Sequence, residues 1–166
     1  MSRSEEEFRA FVISRAASLH RTAYLLCGDW HLADDLVQEA LAKAFRHWKR
    51  VQRADSPDAY VRRILINESN RRWRARRDLV LRAEEAEPDG VTSDPADEVV
   101  DRAELLEALQ SLPPRQRATI VLRYLDGLSE RETAVVLECS EGTVKSQTSR
   151  ALTRLNRFFT REELVR

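Results

Sequence analysis

Glycine is scarce in this chain, with 4 residues among 166, and proline is nearly as rare at 5. An all-β fold needs turn residues at short, regular spacing, and that requirement is not met. Arg, Glu, Ala and Leu are plentiful instead, so an all-α fold is expected. Cysteine is limited to Cys27 and Cys139, 112 positions apart and without a Cys-x-x-Cys spacing. That pattern points to a reducing, cytoplasmic setting and not to a disulfide framework. Met1 to Phe11 opens polar and acidic, where a signal peptide would be cationic and then apolar. No apolar run approaches the length of a membrane span, so membrane insertion is not expected. Cys27 with His20 and His31 does not supply four ligands at a recognisable spacing, and no metal or other cofactor is expected. P-loop, metal-ligand cluster and nucleophile with a nearby base are likewise missing, which leaves no catalytic residue and no small-molecule substrate to propose.

An excess of either charge is also missing, since 28 Lys/Arg balance 28 Asp/Glu. Taken alone, neutrality argues against a nucleic-acid partner, but the distribution along the chain reverses that conclusion. Residues 1–80 hold 16 basic against 11 acidic side chains, residues 81–104 hold 2 against 9, and residues 105–166 hold 10 against 8. Two basic parts therefore flank an acidic bridge.

Local signals divide the chain further. Ser4 and Glu7 have the spacing of a capping box, and Phe8, Val12, Leu19, Ala23 and Leu26 return on one helical face before Gly28. Asp29 can cap a second helix over His31 to Trp48, where Leu32, Leu36, Ala40, Ala44 and Trp48 recur every four residues. Ser56 followed by Pro57 opens a third helix that runs through at least Arg74. Its first half has an apolar face, Tyr60, Val61, Ile64 and Leu65. From Arg62 to Arg77 it carries seven Arg against the single acid Glu68, with Trp73 among the cations. Residues 83–98, AEEAEPDGVTSDPADE, have too few apolar side chains to order themselves and are expected to be an acidic flexible linker. The resulting division is a first domain over 1–82, the linker over 83–98 and a second domain over 99–166.

The second domain opens with a helix bearing Leu105, Leu106 and Leu109, which stops at Leu112-Pro113-Pro114, and continues with a helix from Pro114 to Leu125. Ser129 and Glu132 form a capping box for a short helix to about Leu137, and Ser140 caps a longer one after a tight turn. The pair is a helix-turn-helix candidate. In its second helix Val144, Thr148, Ala151, Leu155 and Phe158 line one face. Lys145, Ser146, Ser149, Arg150 and Thr153 line the other, short, polar and basic as entry into a major groove requires, and Arg150 is suited to bidentate pairing with guanine.

The segment SLPPRQRATIVLRYLDGLSERETAVVLECSEGTVKSQTSRALTRL resembles the C-terminal promoter-binding domain of bacterial sigma factors. RTAYLLCGDWHLADDLVQEALAKAFRHW, followed by AYVRRILINESNRRWRARR, resembles their other conserved domain. Both occur in the family's order with only the acidic linker between them, an economy similar to the extracytoplasmic-function (ECF) group. Thr133, Glu138, Gln147 and Thr148 depart from the residues usual there, so promoter preference does not transfer, and Glu138 is expected to adopt a left-handed turn.

The resemblance implies a transcription initiation factor that binds core RNA polymerase, directs it to promoters and helps open the DNA. It assigns Asp35, Gln38 and Glu39 to a coiled coil of the polymerase largest subunit. It assigns Asn67 and the loop Lys49 to Ser56 to a flipped base of the minus-ten element, with Asn70, Arg71, Arg72 and Arg74 along the strand and Trp73 either stacked on a base or packed in the domain. Lys145, Ser146, Ser149 and Arg150 would read the minus-thirty-five element as duplex, and an anti-sigma factor is an expected partner. The rival reading is a stand-alone helix-turn-helix regulator, which leaves the Arg-rich helix and the Asp35-Gln38-Glu39 set without a role.

Overall fold

The computed structural model describes residues 1–82 and 97–165. These residues form helices and no strand, as the composition predicts. The first unit comprises α1 (Arg3–Cys27), α2 (Trp30–Arg46), α3 (Trp48–Arg53) and α4 (Pro57–Arg82). The second comprises α5 (Asp97–Gln110), α6 (Pro114–Ile120) with a π-helical turn over Val121–Leu125, α7 (Glu130–Leu137) and α8 (Glu141–Val165). The expected linker lies outside the described residues except for its last two, which already belong to α5.

Short-range chemistry sets most helix ends. Asp29 accepts from the Leu32 amide at 2.8 Å, Ser56 from Ala59 at 3.1 Å and Ser140 from Thr143 at 3.1 Å. Gly28 closes α1 at φ 75°, a left-handed conformation that glycine adopts without a Cβ penalty. The capping box of α1 is not the Ser4 and Glu7 pair but Ser2 and Glu5, because both pairs have the same spacing and Glu7 is engaged with Arg3 at 3.0 Å and with Gln52.

Residues expected as a loop, Lys49 to Ser56, are instead mostly α3. Its driving force is apolar: Trp48 and Val51, three positions apart, are buried together, and the Trp48 ring meets Phe8 at 5.1 Å and Phe11 at 5.4 Å. Around them pack Leu19, Leu36, Val37, Ala40, Val61 and Leu65. Truncating Leu36 or Leu65 to Ala would cost about 2–5 kcal/mol through lost transfer energy and the cavity left behind.

The helix expected from Pro114 to Leu125 is α-helical only to Ile120. It then loosens into a π turn closed by the Asp126 amide on the Val121 carbonyl at 2.9 Å. Val121 and Leu122 remain fully buried through the turn, while Asp126 after it meets Thr22 and Arg62 of the first unit. An apolar cluster spans the two units, with Leu26 and Ile66 from one side meeting Leu109, Leu112, Ala118, Ile120 and Val136 from the other. Arg117 is buried at the same seam. It donates to the Leu26 carbonyl at the end of α1 (2.9 Å), to the Leu109 and Gln110 carbonyls at the end of α5 (2.9 and 3.2 Å) and to the Leu112 carbonyl just after it (2.9 Å). One guanidinium thus adds donors at two helix C-termini, where the Leu26 carbonyl also accepts from the Gln110 side chain at 3.2 Å and that of Leu109 from the Leu112 amide at 3.1 Å.

Candidate polymerase and nucleic-acid interfaces

Three surfaces collect the residues singled out in the sequence. On α8, Lys145, Ser146, Ser149 and Arg150 are all exposed, whereas Val144 and Ala151 on the opposite side are buried in the second unit. Lys145 reaches Glu130 of α7 at 3.7 Å, and Arg150 has no ion-pair partner among the described residues. Thr148 occupies its half-buried position by returning its hydroxyl to the Val144 carbonyl at 2.8 Å, which removes the cost of a polar atom there. Glu138 takes the left-handed conformation expected of it, φ 53° and ψ 46°, and its carboxylate meets Arg63 at 3.1 Å.

On α2, Asp35 and Gln38 are exposed as the helix period predicts, with Gln38 donating to Asp34 at 2.9 Å. Glu39 behaves differently. It is half-buried and bridges to α4, accepting from Arg71 at 3.0 Å and from Arg72 at 2.8 Å. Beneath it, Glu68 is buried and holds Arg71 at 2.8 Å together with Lys43. Burial alone would raise the Glu68 carboxyl, but hydrogen bonds from Lys43 and Arg71 outweigh it and hold the group below its ordinary range. The same pairing raises Arg71, through its hydrogen bond to Glu68 first.

Along α4, Asn67 and Arg74 are exposed, and Asn70, Arg72 and Trp73 are half-buried. Trp73 lies under the Arg77 guanidinium at 5.1 Å, a cation–π contact within its own helix. The Arg-rich run is therefore not uniformly available. Arg62 is only 7% exposed and binds Asp58 (2.8 Å), Ser18 (2.9 Å) and, across the seam, Asp126 (2.6 Å). Asp126 also accepts from Thr22 at 2.8 Å. Burial pushes the Asp126 carboxyl up, opposed by Thr22 and Arg62. Arg63 is turned toward α7, donating to the Val135 carbonyl at 2.8 Å. No local period predicts these pairings, because their partners are 64 and 72 positions away.

His20 spends its ring on the Ala16 carbonyl (2.8 Å) and Asp34 (3.0 Å), and the Cys27 thiol donates to the Asp29 carbonyl at 3.3 Å. Among the described residues no three His, Cys, Asp or Glu side chains group as metal ligands. Nor is any described helix long and apolar enough to cross a membrane.

Two helical units, the first with a basic helix beside an acidic surface and the second with an exposed helix-turn-helix, define the sigma-70 class of transcription proteins. Two family models match, sigma-70 region 2 over residues 5–78 and sigma-70 region 4 over residues 102–155. The chain is 40% identical over 159 residues to the RNA polymerase sigma-E factor of Streptomyces coelicolor, covering 96% of this chain and 86% of that one. It is 30% identical over 152 residues to the ECF RNA polymerase sigma factor EcfG of Rhodopseudomonas palustris, covering 91% and 84%. Among solved structures, it is similar to the sigma factor RpoE of Bartonella quintana, crystallised in complex with the anti-sigma factor NepR. That likeness has a TM-score of 0.78 and 28% identity, covering 93% of this chain and 98% of that one. Within the sigma-70 class, the chain belongs to the ECF RNA polymerase sigma factors.

Proposed function

We propose that this sigma factor recruits core RNA polymerase through Asp35, Gln38 and Glu39, opens the minus-ten element with Asn67, Asn70, Arg71, Arg72, Trp73 and Arg74, and reads the minus-thirty-five element with Lys145, Ser146, Ser149 and Arg150. The observation that carries this reading is the presence of both sigma regions in one chain, each presenting an outward surface of the required charge. A stand-alone regulator has no use for the first region. In this reading the chain performs no catalysis of its own and works in the cytoplasm, where polymerase and promoter are found. The domains run over 1–82 and 99–166 with an acidic linker between them. The start of α5 at Asp97 supports the second boundary to within two residues.

The packed arrangement is then a resting form. Two promoter elements about 25 base pairs apart are separated by roughly 85 Å of duplex. A compact chain of this length is only about 40 Å across. Engaging both elements requires the seam around Arg62, Arg117 and Asp126 to part. An anti-sigma factor, the kind of partner with which the Bartonella relative was crystallised, would hold the chain at rest if it bound this packed form.

Run-off transcription with core polymerase on a promoter library tests the function. Specific transcripts that depend on the chain are expected. Failure to bind core polymerase would sink the sigma reading, and duplex binding without polymerase would favour the regulator.

A further inference from the structure

Glu39 belongs by position to the polymerase-facing surface of α2, one helical turn after Asp35, yet its carboxylate is spent on two arginines of α4. Resting on the function proposed above, we infer that Glu39 keeps Arg71 and Arg72 off single-stranded DNA in the free chain, and that polymerase releases them by drawing Glu39 away.

The network has five members: the carboxylates of Glu39 and Glu68, and the cations of Lys43, Arg71 and Arg72. The two carboxylates are not equivalent. Glu68 is only 7% exposed, and it keeps Lys43 and Arg71 whatever happens at the surface. Glu39 is 31% exposed and is the only carboxylate paired with Arg72 among the described residues. Arg72 donates at 2.8 Å, and Arg71 divides one nitrogen between Glu39 at 3.0 Å and Glu68 at 2.8 Å. A phosphate approaching Arg72 competes with Glu39 for the Nη2 donor and meets the repulsion of the carboxylate's charge, so Glu39 weakens strand binding at this side chain as long as it stays paired. A cation brought to Glu39 by a partner has the opposite effect. It takes the carboxylate, leaves Arg72 without an anion and strips Arg71 of one of two. Polymerase binding and strand binding thus share one side chain, and sharing it couples them.

The test measures fluorescence anisotropy of a labelled oligothymidylate of about fifteen nucleotides, comparable to the footprint of small single-strand binders, against the full chain without polymerase. Glu39→Gln is expected to bind several-fold more tightly than the unmutated chain at low salt. Its salt dependence should steepen by about 0.7 for each phosphate newly engaged. Adding Arg72→Ala to Glu39→Gln should abolish most of that gain. Glu6→Gln, which removes one exposed charge far from α4 in sequence, should reproduce none of it. With core polymerase present, the gap between the unmutated chain and Glu39→Gln should narrow to within about twofold in strand affinity, a small residue of a coupling of this kind.

Unchanged affinity of Glu39→Gln, with or without a lowered melting temperature, would overturn the inference and leave the network as a brace between α2 and α4. A gain that survives Arg72→Ala, or appears equally in Glu6→Gln, would also overturn it, since general repulsion would then suffice. A gap that persists in full beside polymerase would remove polymerase from it. Failure of the sigma reading is distinguishable, because it appears as absent polymerase binding by the unmutated chain.

Discussion

The cations of the two proposed nucleic-acid surfaces are held in opposite ways. On α4, Arg71 and Arg72 are neutralised by carboxylates from α2 and from their own helix, and Arg62 is taken up by the seam between the units. On α8, Arg150 stands in solvent, and Lys145 is only loosely approached by Glu130. A surface meant for duplex can remain exposed, because specificity resides in base edges that only the right sequence presents. A surface that grips any single strand by its phosphates has no such filter, and internal carboxylates can supply one.

The contrast is broken most severely at the proposed polymerase face. Asp35→Arg combined with Gln38→Ala is expected to lower affinity for core polymerase by several kcal/mol, at least about 100-fold, by setting like charges together. Both positions are exposed, so thermal unfolding should shift by no more than about 0.5 kcal/mol. Native-like unfolding with undiminished co-purification would remove α2 from the interface.

Arg62→Met attacks the seam, leaving Asp126 buried without its cation. Breaking such a pair costs about 3–5 kcal/mol. The packed form should give way, and small-angle scattering should report a radius of gyration above the roughly 15 Å of a compact chain of this length. An unchanged radius would mean that the apolar cluster and the remaining contacts of Arg63 and Arg117 are enough to hold the units together.

Arg150→Ala tests the exposed side of the comparison. A loss of about 1–3 kcal/mol in binding to minus-thirty-five duplex is expected, with relaxed preference at one base pair. A uniform loss across sequences would instead make Arg150 a phosphate contact. Asn67→Ala should impair opening and be rescued by a premelted bubble, so equal loss on both templates would argue against base capture.

The smallest effect is expected at Glu138. Glycine there relieves a left-handed conformation costing about 1–2 kcal/mol but gives up the surface ion pair with Arg63, worth at most about 1 kcal/mol. Glu138→Gly should raise the unfolding free energy by about 1 kcal/mol or less, measured by chemical denaturation. A clear loss of stability would mean that the Arg63 contact braces the seam.

How far the sequence could be read follows the range of each interaction. The caps at Asp29, Ser56, Ser129 and Ser140 were legible because donor and acceptor lie within three residues, and the apolar and polar faces of α8 because one period fixes both. Ser2 and Ser4 offered equal boxes, and the choice depended on Gln52, which no local rule brings to Glu7. The six-residue α3 is too short to display a period, and the family resemblance had implied a loop there. In the polymerase set, the exposure of Asp35 and Gln38 followed from the helix wheel. The capture of Glu39 did not, since it requires the crossing of α2 over α4. Likewise the Arg-rich run looked uniform until tertiary contacts divided it into buried, paired and free members.

The π turn over Val121–Leu125 has a consequence in phase. One additional residue in a turn rotates everything after it by about 100° around the helix axis. The meeting of Asp126 with Arg62 is therefore written in a residue count as much as in a residue type. Deleting one position between Val121 and Leu125 would return the segment to ordinary α-helical pitch and swing the carboxylate away from the guanidinium, with every charged side chain still present. Two relatives with the same acid and the same arginine would then differ in how firmly they close, and only the length of one helical turn would record it.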